Sequence, residues 1–417
     1  MKVLHVTPHL GGGVGKGHAA ISAVLPNSIE QTFVLLEAPR ERRYADLIAA
    51  TGARLIVAAN LADVKQLAAD ADIVQFEFWN HPKLFECLAR CDFAPMRGVF
   101  WSHISGLFRP VIQPALIEAA SRFVFTTPAS IAAPGVAALL TAHPRKIATI
   151  NSGFGFPEAT ARLPAGAAPP KIAYLGTVDF TKMHPGFFDV IDALQGDDIR
   201  VSVWGAVDPE GEVAQRARAM RHPERVVLRG QTDDPRAALS EADIFFYPLR
   251  PDHYGTAENV LVEAMSLGLT AIVLGNPAEA AIIRDGVTGL IGRDIAECGA
   301  LLRTMLGSPD RRAQIGRNAM KDVAATRTPE ISAEAFVKLW QGLLDEPARE
   351  ASFRDAIGDT PADWYLATQR LPGTPWQPAP ADSRLIASKG SLAHFESVAK
   401  DDVSLADLHR TARGFQG

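Results

Sequence analysis

The sequence predicts an α/β protein with two doubly wound domains, each built around a parallel β-sheet. Three observations lead to this prediction. The strand-like runs are apolar along almost their whole length, which is typical of parallel strands that helices cover on both faces. These runs alternate with Ala- and Leu-rich helical stretches, and this alternation predicts right-handed crossover connections between parallel strands. The alternation is interrupted once, at residues 154–170, and then resumes.

The first domain accounts for the strand-like runs before the break. Turn-forming residues bound each run, and a helical stretch follows it. The strand-like runs cover 2–8, 32–37, 53–59, 72–78, 98–103, 122–127 and 146–153. The helical stretches cover 17–26, 40–51, 61–69, 82–90, 111–120 and 128–141. Strand, helix and strand in this order predict a doubly wound fold.

The break leads into a second domain of the same kind. Pro, Gly and Ala dominate there and no apolar period survives, so we interpret residues 156–170 as a linker. Strand-like runs then recur at 171–177, 199–205, 225–230, 243–248, 269–275 and 288–292. The helical stretches are 184–195, 209–221, 234–241, 257–267, 277–284, 294–306, 309–325 and 330–344. Open parallel sheets bind ligands beyond the carboxyl ends of their strands, so we expect the two domains to face each other across a cleft.

The pattern changes again after residue 345. Residues 364–383 are Pro-rich and aromatic, and residues 391–414 have a helical pattern. Trp364 and Phe395 are too apolar for a free tail, so we expect this extension to pack back on the N-terminal domain. The predicted divisions are an N-terminal domain over 1–155, a linker over 156–170, a second domain over 171–345 and a C-terminal extension over 346–417.

Composition and charge exclude several classes of protein. The chain has 417 residues, 47% hydrophobic and 21% charged, which is typical of folded domains. Lys and Arg number 42 against 47 Asp and Glu, and without a basic block this argues against a nucleic-acid binder. No apolar run reaches the ~20 residues that span a bilayer, and the N-terminus lacks the long apolar segment of a signal peptide. Three Cys argue against a disulfide framework, so we expect a cytoplasmic protein.

Glycines follow the first predicted strand, at residues 11–17. Glycine lets backbone N–H groups approach an anion, and a following helix N-terminus adds positive potential. The run is not a P-loop, because Leu10 stands where the first Gly is required and Gly17 stands where Ser or Thr is required. On its own it indicates only a small ligand or a tight turn.

Residues 255–269, GTAENVLVEAMSLGL, are the most informative stretch. We predict that Thr256 caps a helix and that Glu258 lies in its first turn, which leaves N–H groups free for a phosphate. Glu263 has apolar neighbours, where a carboxylate needs a partner, and two sugar hydroxyls would supply one. A solvated position or a salt bridge to Arg284 explains Glu263 equally well.

The longer stretch 255–291 resembles the donor-site signature of retaining glycosyltransferases of the GT-B fold, the group that contains family 4 and the glycogen-synthase-like enzymes. That pattern has a Glu, seven residues, a second Glu with Ala-Met, a small-residue turn, a strand and a helix ending in Asp-Gly-x-x-Gly-Leu. Other segments that resemble the family are LGTVDFTK (175–182), ADIFFYP (242–248), GGG (11–13) and SHISG (102–106). The resemblance covers roughly residues 1–345 and implies two Rossmann-like domains.

The resemblance implies a role for each matching residue. Glu263 would hold the ribose hydroxyls of a nucleotide, and Asn259 and Val260 would offer main-chain N–H groups to its diphosphate. Lys182 would neutralise the leaving phosphate, and His103 would approach the transferred sugar.

Glycine positions complete the implied site. Gly12 and Gly13 would let the first-domain loop approach the diphosphate. Gly176 belongs to the loop that leads to Lys182. We also count Thr256 among the substrate-binding residues.

The chain departs from the family pattern at two positions. Gly255 stands where the family has its first Glu, and Glu258 is our candidate to take over part of that role as a catalytic residue. Thr177 stands where the family has an Arg, so one phosphate cation is missing. Nearby candidates to replace that charge are Arg250, His253 and His184; of these we count His253, like Thr177, among the substrate-binding residues.

The resemblance implies an enzyme that moves a sugar from a nucleoside diphosphate, UDP or GDP foremost, to an acceptor hydroxyl with retention of configuration. We expect no cofactor and no metal, because Lys182 and the helix N-terminus can stabilise the departing diphosphate. Asp70 and Asp72 form an Asp-x-Asp pattern that other glycosyltransferases use for a metal, but a turn and a cap explain them here.

The acceptor stays open at this point: a glycan, a lipid-linked molecule or a small molecule. We expect no nucleic-acid partner and at most peripheral membrane contact. Two alternatives remain, a catalytically silent nucleotide-sugar-binding protein and a sugar-nucleotide epimerase with the same fold.

Overall fold

Two parallel sheets with flanking helices organise the chain, as a computed structural model shows, and the predicted α/β fold class is confirmed. The structure describes residues 1–39, 41–153, 156, 169–196, 198–253, 255, 258–371, 374 and 390–414. The described residues of 1–153 and 329–414 form a first compact unit, and those of 156–253 and 258–328 form a second. Each unit buries its own hydrophobic core.

The first unit contains a seven-stranded sheet in the order β3-β2-β1-β4-β5-β6-β7. Its strands are Lys2–Thr7 (β1), Glu30–Leu35 (β2), Arg54–Val57 (β3), Ile73–Phe78 (β4), Gly98–Ser102 (β5), Arg122–Phe125 (β6) and Ile147–Thr149 (β7). Every pair is parallel, and β1 pairs with β2 on one side and β4 on the other. The strand order reverses at β1, so the carboxyl ends of β1 and β4 mark the switch point where such sheets bind ligands.

Helices cover both faces of this sheet, which explains why β4 and β5 are buried at every residue. They are Gly12–Ser22 (α1), Arg43–Ala50 (α2), Leu61–Ala69 (α3), Pro82–Arg90 (α4), Pro114–Ala119 (α5) and Val136–Ala142 (α6), with a 3-10 turn at Pro128–Ala132. Helix α1 begins five residues earlier than the expected start at residue 17. Gly12 and Gly13 are therefore its first residues rather than part of a loop, because the free N–H groups at a helix start tolerate glycine.

The second unit contains a six-stranded parallel sheet in the order β10-β9-β8-β11-β12-β13. Its strands are Ile172–Leu175 (β8), Val201–Trp204 (β9), Val226–Gly230 (β10), Ile244–Tyr247 (β11), Thr270–Leu274 (β12) and Leu290–Gly292 (β13). Its helices are Phe187–Asp192 (α7), Glu212–Arg218 (α8), Pro235–Ser240 (α9), Asn259–Ser266 (α10), Pro277–Ala280 (α11), Ile295–Leu306 (α12) and Pro309–Thr326 (α13), with a 3-10 turn at Pro223–Arg225.

The C-terminal helices belong to the first unit. They are Pro329–Leu344 (α14), Arg354–Ile357 (α15), Pro361–Gln369 (α16), Leu392–Val398 (α17) and Val403–Gly414 (α18). Trp340 of α14 packs in one core cluster with Val3 and Trp101, whereas the predicted divisions assigned this helix to the second domain. Amphipathic spacing shows that a helix has a buried face but not which sheet covers it.

The extension after α14 also packs on the first unit. Trp364 and Phe395 are buried in the cluster that holds Phe85, and the rings of Phe85 and Phe395 lie 5.9 Å apart. Of the predicted linker, only residues 156, 169 and 170 fall within the described part of the chain. None of the helices among the described residues is both long and apolar enough to span a membrane.

Candidate functional site

Lys182 lies beyond the carboxyl end of the second sheet, on a segment that runs beside the residues following β11. The His184 N–H donates to the Pro248 carbonyl at 3.0 Å, and the Arg250 N–H donates to the Lys182 carbonyl at 2.8 Å. These bonds fix the backbone on both sides of Lys182. Its Nζ lies 3.1 Å from Oε2 of Glu258, so an ammonium and a buried carboxylate form an ion pair.

Glu258 is the N-cap residue of α10, where its backbone adopts a left-handed conformation with φ +37° and ψ +55°. The prediction that Glu258 lies in the first turn is therefore wrong: the helix begins at Asn259, because the left-handed residue ends the preceding loop. Thr256, the predicted cap, lies outside the described residues. The Glu258 carboxylate also accepts a hydrogen bond from the Tyr247 hydroxyl at 2.9 Å.

Charge around Glu258 decides its protonation. Burial alone raises the pKa of Glu258, but the nearby charges of Lys182 and His253 and the hydrogen bonds from Lys182 and Tyr247 outweigh burial and hold the pKa below its ordinary value. Burial likewise raises the pKa of Tyr247 well above the usual range, so this phenol stays protonated and acts as a donor.

His253 lies between two buried carboxylates. Its Nε2 is 2.8 Å from Oε1 of Glu279, and its Nδ1 is 4.0 Å from Oε1 of Glu258. Glu279 is 0% exposed. Burial raises the pKa of Glu279 and neighbouring Glu258 raises it further, against the opposing effect of His253. His253 therefore lies close to Glu258 at the carboxyl edge of the second sheet.

The N-terminus of α10 offers groups suited to an anion. Within the described chain, the N–H groups of Asn259 and Val260 have no acceptor, and no acidic residue occupies the first helical turn. The Asn259 side-chain oxygen is buried without a hydrogen-bond partner. Free N–H groups at the start of a helix, aligned with the helix dipole, favour a phosphate.

Glu263 lies in the middle of α10 and is 2% exposed, so a solvated position does not explain it. Arg284, the alternative partner, pairs instead with Asp322 at 2.8 Å.

The turns after β8 and β9 approach each other closely. A Cβ on Gly205, whose φ is +150°, would lie 2.1 Å from the Gly176 carbonyl oxygen, so only glycine fits there. Thr177 is exposed, and its carbonyl accepts a hydrogen bond from the Tyr174 hydroxyl at 2.7 Å. Neither Gly176 nor Thr177 brings a cation to this edge of the sheet.

Two other candidates for the missing cation are engaged elsewhere. Arg250 forms a two-pronged pair with Asp252, with both N–O distances at 3.0 Å. His184 accepts the Gly186 N–H at its Nδ1, and burial followed by the charge of Arg250 lowers its pKa. His253 is engaged as well, with Glu279, but it also lies 4.0 Å from Glu258.

In the first unit, polar side chains gather around Glu77, which is 0% exposed near the carboxyl end of β4. Its Oε1 accepts a hydrogen bond from Gln75 at 3.0 Å and lies 3.3 Å from Nδ1 of His5. Its Oε2 lies 3.0 Å from Nε2 of His18 and 3.1 Å from Nε2 of His103.

These contacts set the protonation states of the cluster. Burial alone raises the pKa of Glu77, but His18, His103 and His5 outweigh burial and hold the pKa well below its usual range. Burial lowers the pKa of His5 and of His103 in spite of their contacts with the carboxylate. An ionised Glu77 beside neutral His5 and His103 rings is the state that these shifts favour.

Of the predicted residues in this unit, His103 follows β5 at the carboxyl edge of the sheet, and Gly12 and Gly13 are exposed at the start of α1. A Cβ on Gly12 would meet nothing within 4 Å, and its φ of +57° favours glycine. The helix has no side-chain N-cap and no acidic residue in its first turn. This edge therefore leaves room for a ligand beside free helix N–H groups.

Three clusters among the described residues have the spacing of metal ligands: His5, His18 and Glu77; His9, Glu37 and His81; His253, Glu258 and Glu279. In the second cluster, the two histidines accept backbone N–H groups at Nδ1, from Gly11 and Lys83. Nδ1 of each ring is thus occupied, and Nε2 lies 3.9 Å from Glu37 in His9 and 3.4 Å from it in His81.

The Asp-x-Asp pattern has structural roles. Asp70 is the C-cap residue of α3, and Asp72 accepts the Lys2 N–H at 2.7 Å. The interpretation as a turn and a cap is confirmed.

Three functional candidates escaped the sequence-based selection: Glu279, Tyr247 and Glu77. Glu279 has apolar neighbours in its helix, the same signal that singled out Glu263, so it could have been found. Tyr247 ends an otherwise apolar strand and gave no separate signal. The contacts of Glu77 could not have been found from the sequence, since its histidine partners come from distant parts of the chain.

Comparison with known proteins finds similarity in the second unit and in the fold. Residues 169–307 match the model of the family described as Glycosyl transferases group 1. No curated protein matches the chain at a significant level of sequence similarity.

Several solved structures share the fold. A glycosyltransferase from Rickettsia africae is 12% identical with a TM-score of 0.66, over 83% of this chain and 99% of that chain. HepE from Anabaena, solved with UDP, is 16% identical with a TM-score of 0.65, over 82% of this chain and 100% of that chain. Sucrose-phosphate synthase from Thermosynechococcus elongatus is 16% identical with a TM-score of 0.58, over 83% of this chain and 100% of that chain. At these identities the likeness shows the fold, which is that of GT-B glycosyltransferases.

Proposed function

We propose that this chain is a retaining glycosyltransferase of the family 4 type, which moves a sugar from a nucleoside diphosphate to an acceptor hydroxyl. The observation that carries the proposal is the Lys182–Glu258 pair. Because Glu258 caps α10, the pair holds an ammonium beside the free N–H groups of Asn259 and Val260. The family match over residues 169–307 includes all of these residues.

The chemistry of sugar transfer suits such an arrangement. Negative charge builds on the departing diphosphate as the anomeric carbon becomes oxocarbenium-like. A fixed ammonium and a helix N-terminus stabilise this charge without rearrangement, and each such contact typically contributes a few kcal/mol. We therefore propose that Lys182 and α10 perform this role without a metal at the diphosphate. His253 supplies a further donor in place of the Arg that Thr177 replaces.

A uridine nucleotide is the donor that the comparisons favour. HepE from Anabaena, which shares the fold, has been solved with UDP and with UDP-glucose. In this chain we assign Glu263 to the ribose hydroxyls, because it is a buried carboxylate on the helix that would receive the phosphate. Glu258 then contacts hydroxyls of the sugar, as the substitute for the acid that is missing at Gly255.

The proposal also covers the configuration of the product and the cellular location of the enzyme. Attack from the side of the leaving group, with the departing phosphate as proton acceptor, would retain the anomeric configuration. The cysteines Cys87, Cys91 and Cys298 are all free thiols, in keeping with a cytoplasmic enzyme. The acceptor is a hydroxyl on a glycan, a lipid-linked molecule or a small molecule.

The test begins with thermal unfolding in the presence of UDP-, GDP-, ADP- and TDP-sugars, since a bound donor raises the unfolding temperature by mass action. The stabilising donor is then incubated with a panel of acceptors, with and without EDTA, and the anomeric configuration of the product is determined by NMR. We expect a UDP-sugar to stabilise the chain and an EDTA-insensitive, retained glycoside to form.

The outcomes separate the alternatives. Donor binding without any glycoside or free sugar would identify a silent binding protein. Isomerised sugar nucleotide in the absence of acceptor would identify an epimerase. Inverted product, or loss of activity in EDTA, would contradict the corresponding part of the proposal.

A further inference from the structure

Glu77 is held too firmly to turn away from His103. Gln75 donates to its Oε1, and the Trp340 indole N–H in turn donates to Oε1 of Gln75 at 3.0 Å, so strand β4 and helix α14 share one chain of hydrogen bonds. His5 from β1 and His18 from α1 contact the carboxylate from two further elements. Each carboxylate oxygen thus has two neighbouring side chains, at distances of 3.0 to 3.3 Å.

We propose that Glu77 is a positioning residue that fixes the tautomer of His103, so that His103 presents Nδ1 as a hydrogen-bond acceptor to a hydroxyl of a substrate. The inference rests on the proposed function, because sugar transfer is what supplies the hydroxyl. The family pattern includes a residue that matches His103, but it includes neither Glu77 nor the direction of the hydrogen bond between Glu77 and His103.

The tautomer follows from the chemistry of the partner. An ionised carboxylate only accepts hydrogen bonds, so Nε2 of His103, 3.1 Å from Glu77 Oε2, carries the proton. Burial lowers the pKa of His103, which favours the neutral ring. A neutral imidazole with its proton on Nε2 has a lone pair on Nδ1.

The surroundings leave this lone pair available. In the described part of the chain, Nδ1 of His103 has no hydrogen-bond partner, and the side chain is 9% exposed. The ring is held laterally by Trp101, with centroids 4.6 Å apart, and its backbone N–H donates to the Phe78 carbonyl at 2.7 Å. A ligand hydroxyl that donates to Nδ1 would satisfy the one free position of an otherwise fixed ring.

Two pairs of variants test the proposal. Glu77→Gln keeps the size of the side chain but offers an amide that can donate as well as accept, so the single tautomer of His103 is no longer enforced. His103→Asn places an amide oxygen close to the position of Nδ1, whereas His103→Gln places its amide near the position of Nε2. The matched control is Glu346→Gln, which removes the partner of Arg122 in the same unit without touching this cluster.

The direct readout is 15N NMR of the imidazole nitrogens of the full-length protein, with His103 assigned from its variant. We expect a neutral ring protonated on Nε2 in the wild type and a mixed tautomer in Glu77→Gln. With UDP-glucose as the probe donor, turnover should fall at least tenfold in Glu77→Gln and UDP binding should stay unchanged. His103→Asn should retain at least tenfold more turnover than His103→Gln.

Wild-type protein with the proton on Nδ1, or with a charged ring, would overturn the proposal. So would a folded Glu77→Gln variant with unchanged tautomer and turnover, or equal turnover in His103→Asn and His103→Gln. Failure of the proposed function is distinct, because it would show as absence of nucleotide binding and transfer in the wild type while the NMR tautomer is still measured.

Discussion

Lys182 and Glu258 form an ion pair at the N-terminus of helix α10, with Nζ 3.1 Å from Oε2 and the Glu258 side chain only 1% exposed. The two residues are far apart in the sequence, and each belongs to a different loop at the carboxyl edge of the second sheet. The pair therefore ties those loops together and holds the ammonium where the helix dipole is positive. That arrangement has consequences for stability as well as for binding.

Removal of the ammonium should destabilise the second unit. Lys182→Met leaves a buried carboxylate without its main cation, and breaking a mostly buried pair typically lowers the free energy of unfolding by about 3 kcal/mol. Lys182→Met/Glu258→Gln removes both charges and should recover most of that loss. Urea unfolding followed by circular dichroism measures both effects. Equal stability of Lys182→Met and the wild type would show that the pair is not formed in solution.

Glu258→Gln should separate nucleotide binding from sugar binding. The substitution frees Lys182 from a competing carboxylate, so UDP should bind at least as tightly as to the wild type. If Glu258 contacts sugar hydroxyls, turnover of a UDP-sugar should fall at least tenfold. Calorimetry with UDP and steady-state kinetics with UDP-glucose give the two numbers. Weaker UDP binding with normal turnover would be the reverse of the expected pattern.

Acid should destabilise the first unit more steeply than ordinary histidines would. Burial lowers the folded-state pKa of His5 and of His103, so the unfolded chain takes up protons below its own pKa of about 6.5 while the folded chain does not. Their stability contribution is complete above that pH and is lost as the pH falls. The lowered pKa of Glu77 extends the loss to more acid pH, whereas the raised pKa of Glu279 in the second unit acts in the opposite direction.

The measurement is thermal unfolding between pH 7.5 and pH 5, a range that includes the pKa of about 6.5 of a histidine in the unfolded chain. Removal of one titrating group in His103→Asn should reduce the slope of stability against pH by up to about 1.4 kcal/mol per pH unit. Val403→Ala, at an exposed residue without a titrating group, is the control and should keep the wild-type slope. An unchanged slope in His103→Asn would mean that His103 takes up protons equally in the folded and unfolded states, against the prediction.

The C-terminal extension should contribute directly to the stability of the first unit. Phe395 is fully buried against Phe85, so Phe395→Ala should lower the free energy of unfolding by about 3 kcal/mol or more. Val403 lies in the same segment but is 77% exposed, and Val403→Ala should change stability by no more than about 0.5 kcal/mol. Similar unfolding curves for the two variants would show that α17 is not packed in solution.

The order of strands and helices was predictable because apolar runs and helical periods are local signals. The expected runs at 2–8 and 72–78 correspond to β1 and β4, which end at Thr7 and Phe78. Helix starts were less predictable. Neither Gly12 nor Asn259 carries a strong start signal, since one is a glycine and the other follows a residue with left-handed backbone.

The site was predictable only where a local motif carried it. Lys182 and Glu258 were each selected from their own stretch, but their contact depends on the packing of two loops that no spacing rule joins. The same holds for Glu77, whose partners His5, His18 and His103 come from separate elements. Long-range polar contacts of this kind depend on the tertiary fold, and a local pattern cannot specify them.

The central claim is that Lys182, Glu263 and the start of α10 bind the nucleoside diphosphate of a sugar donor. Calorimetric titration of UDP-glucose into the wild type, Lys182→Ala, Glu263→Gln and the control Arg284→Ala tests it most directly. The control removes an exposed arginine that pairs with Asp322. We predict one site in the wild type and in Arg284→Ala, and affinity at least tenfold weaker in each of the other two variants. Wild-type affinity in folded Lys182→Ala and Glu263→Gln, or no nucleotide binding by the wild type, would contradict the claim.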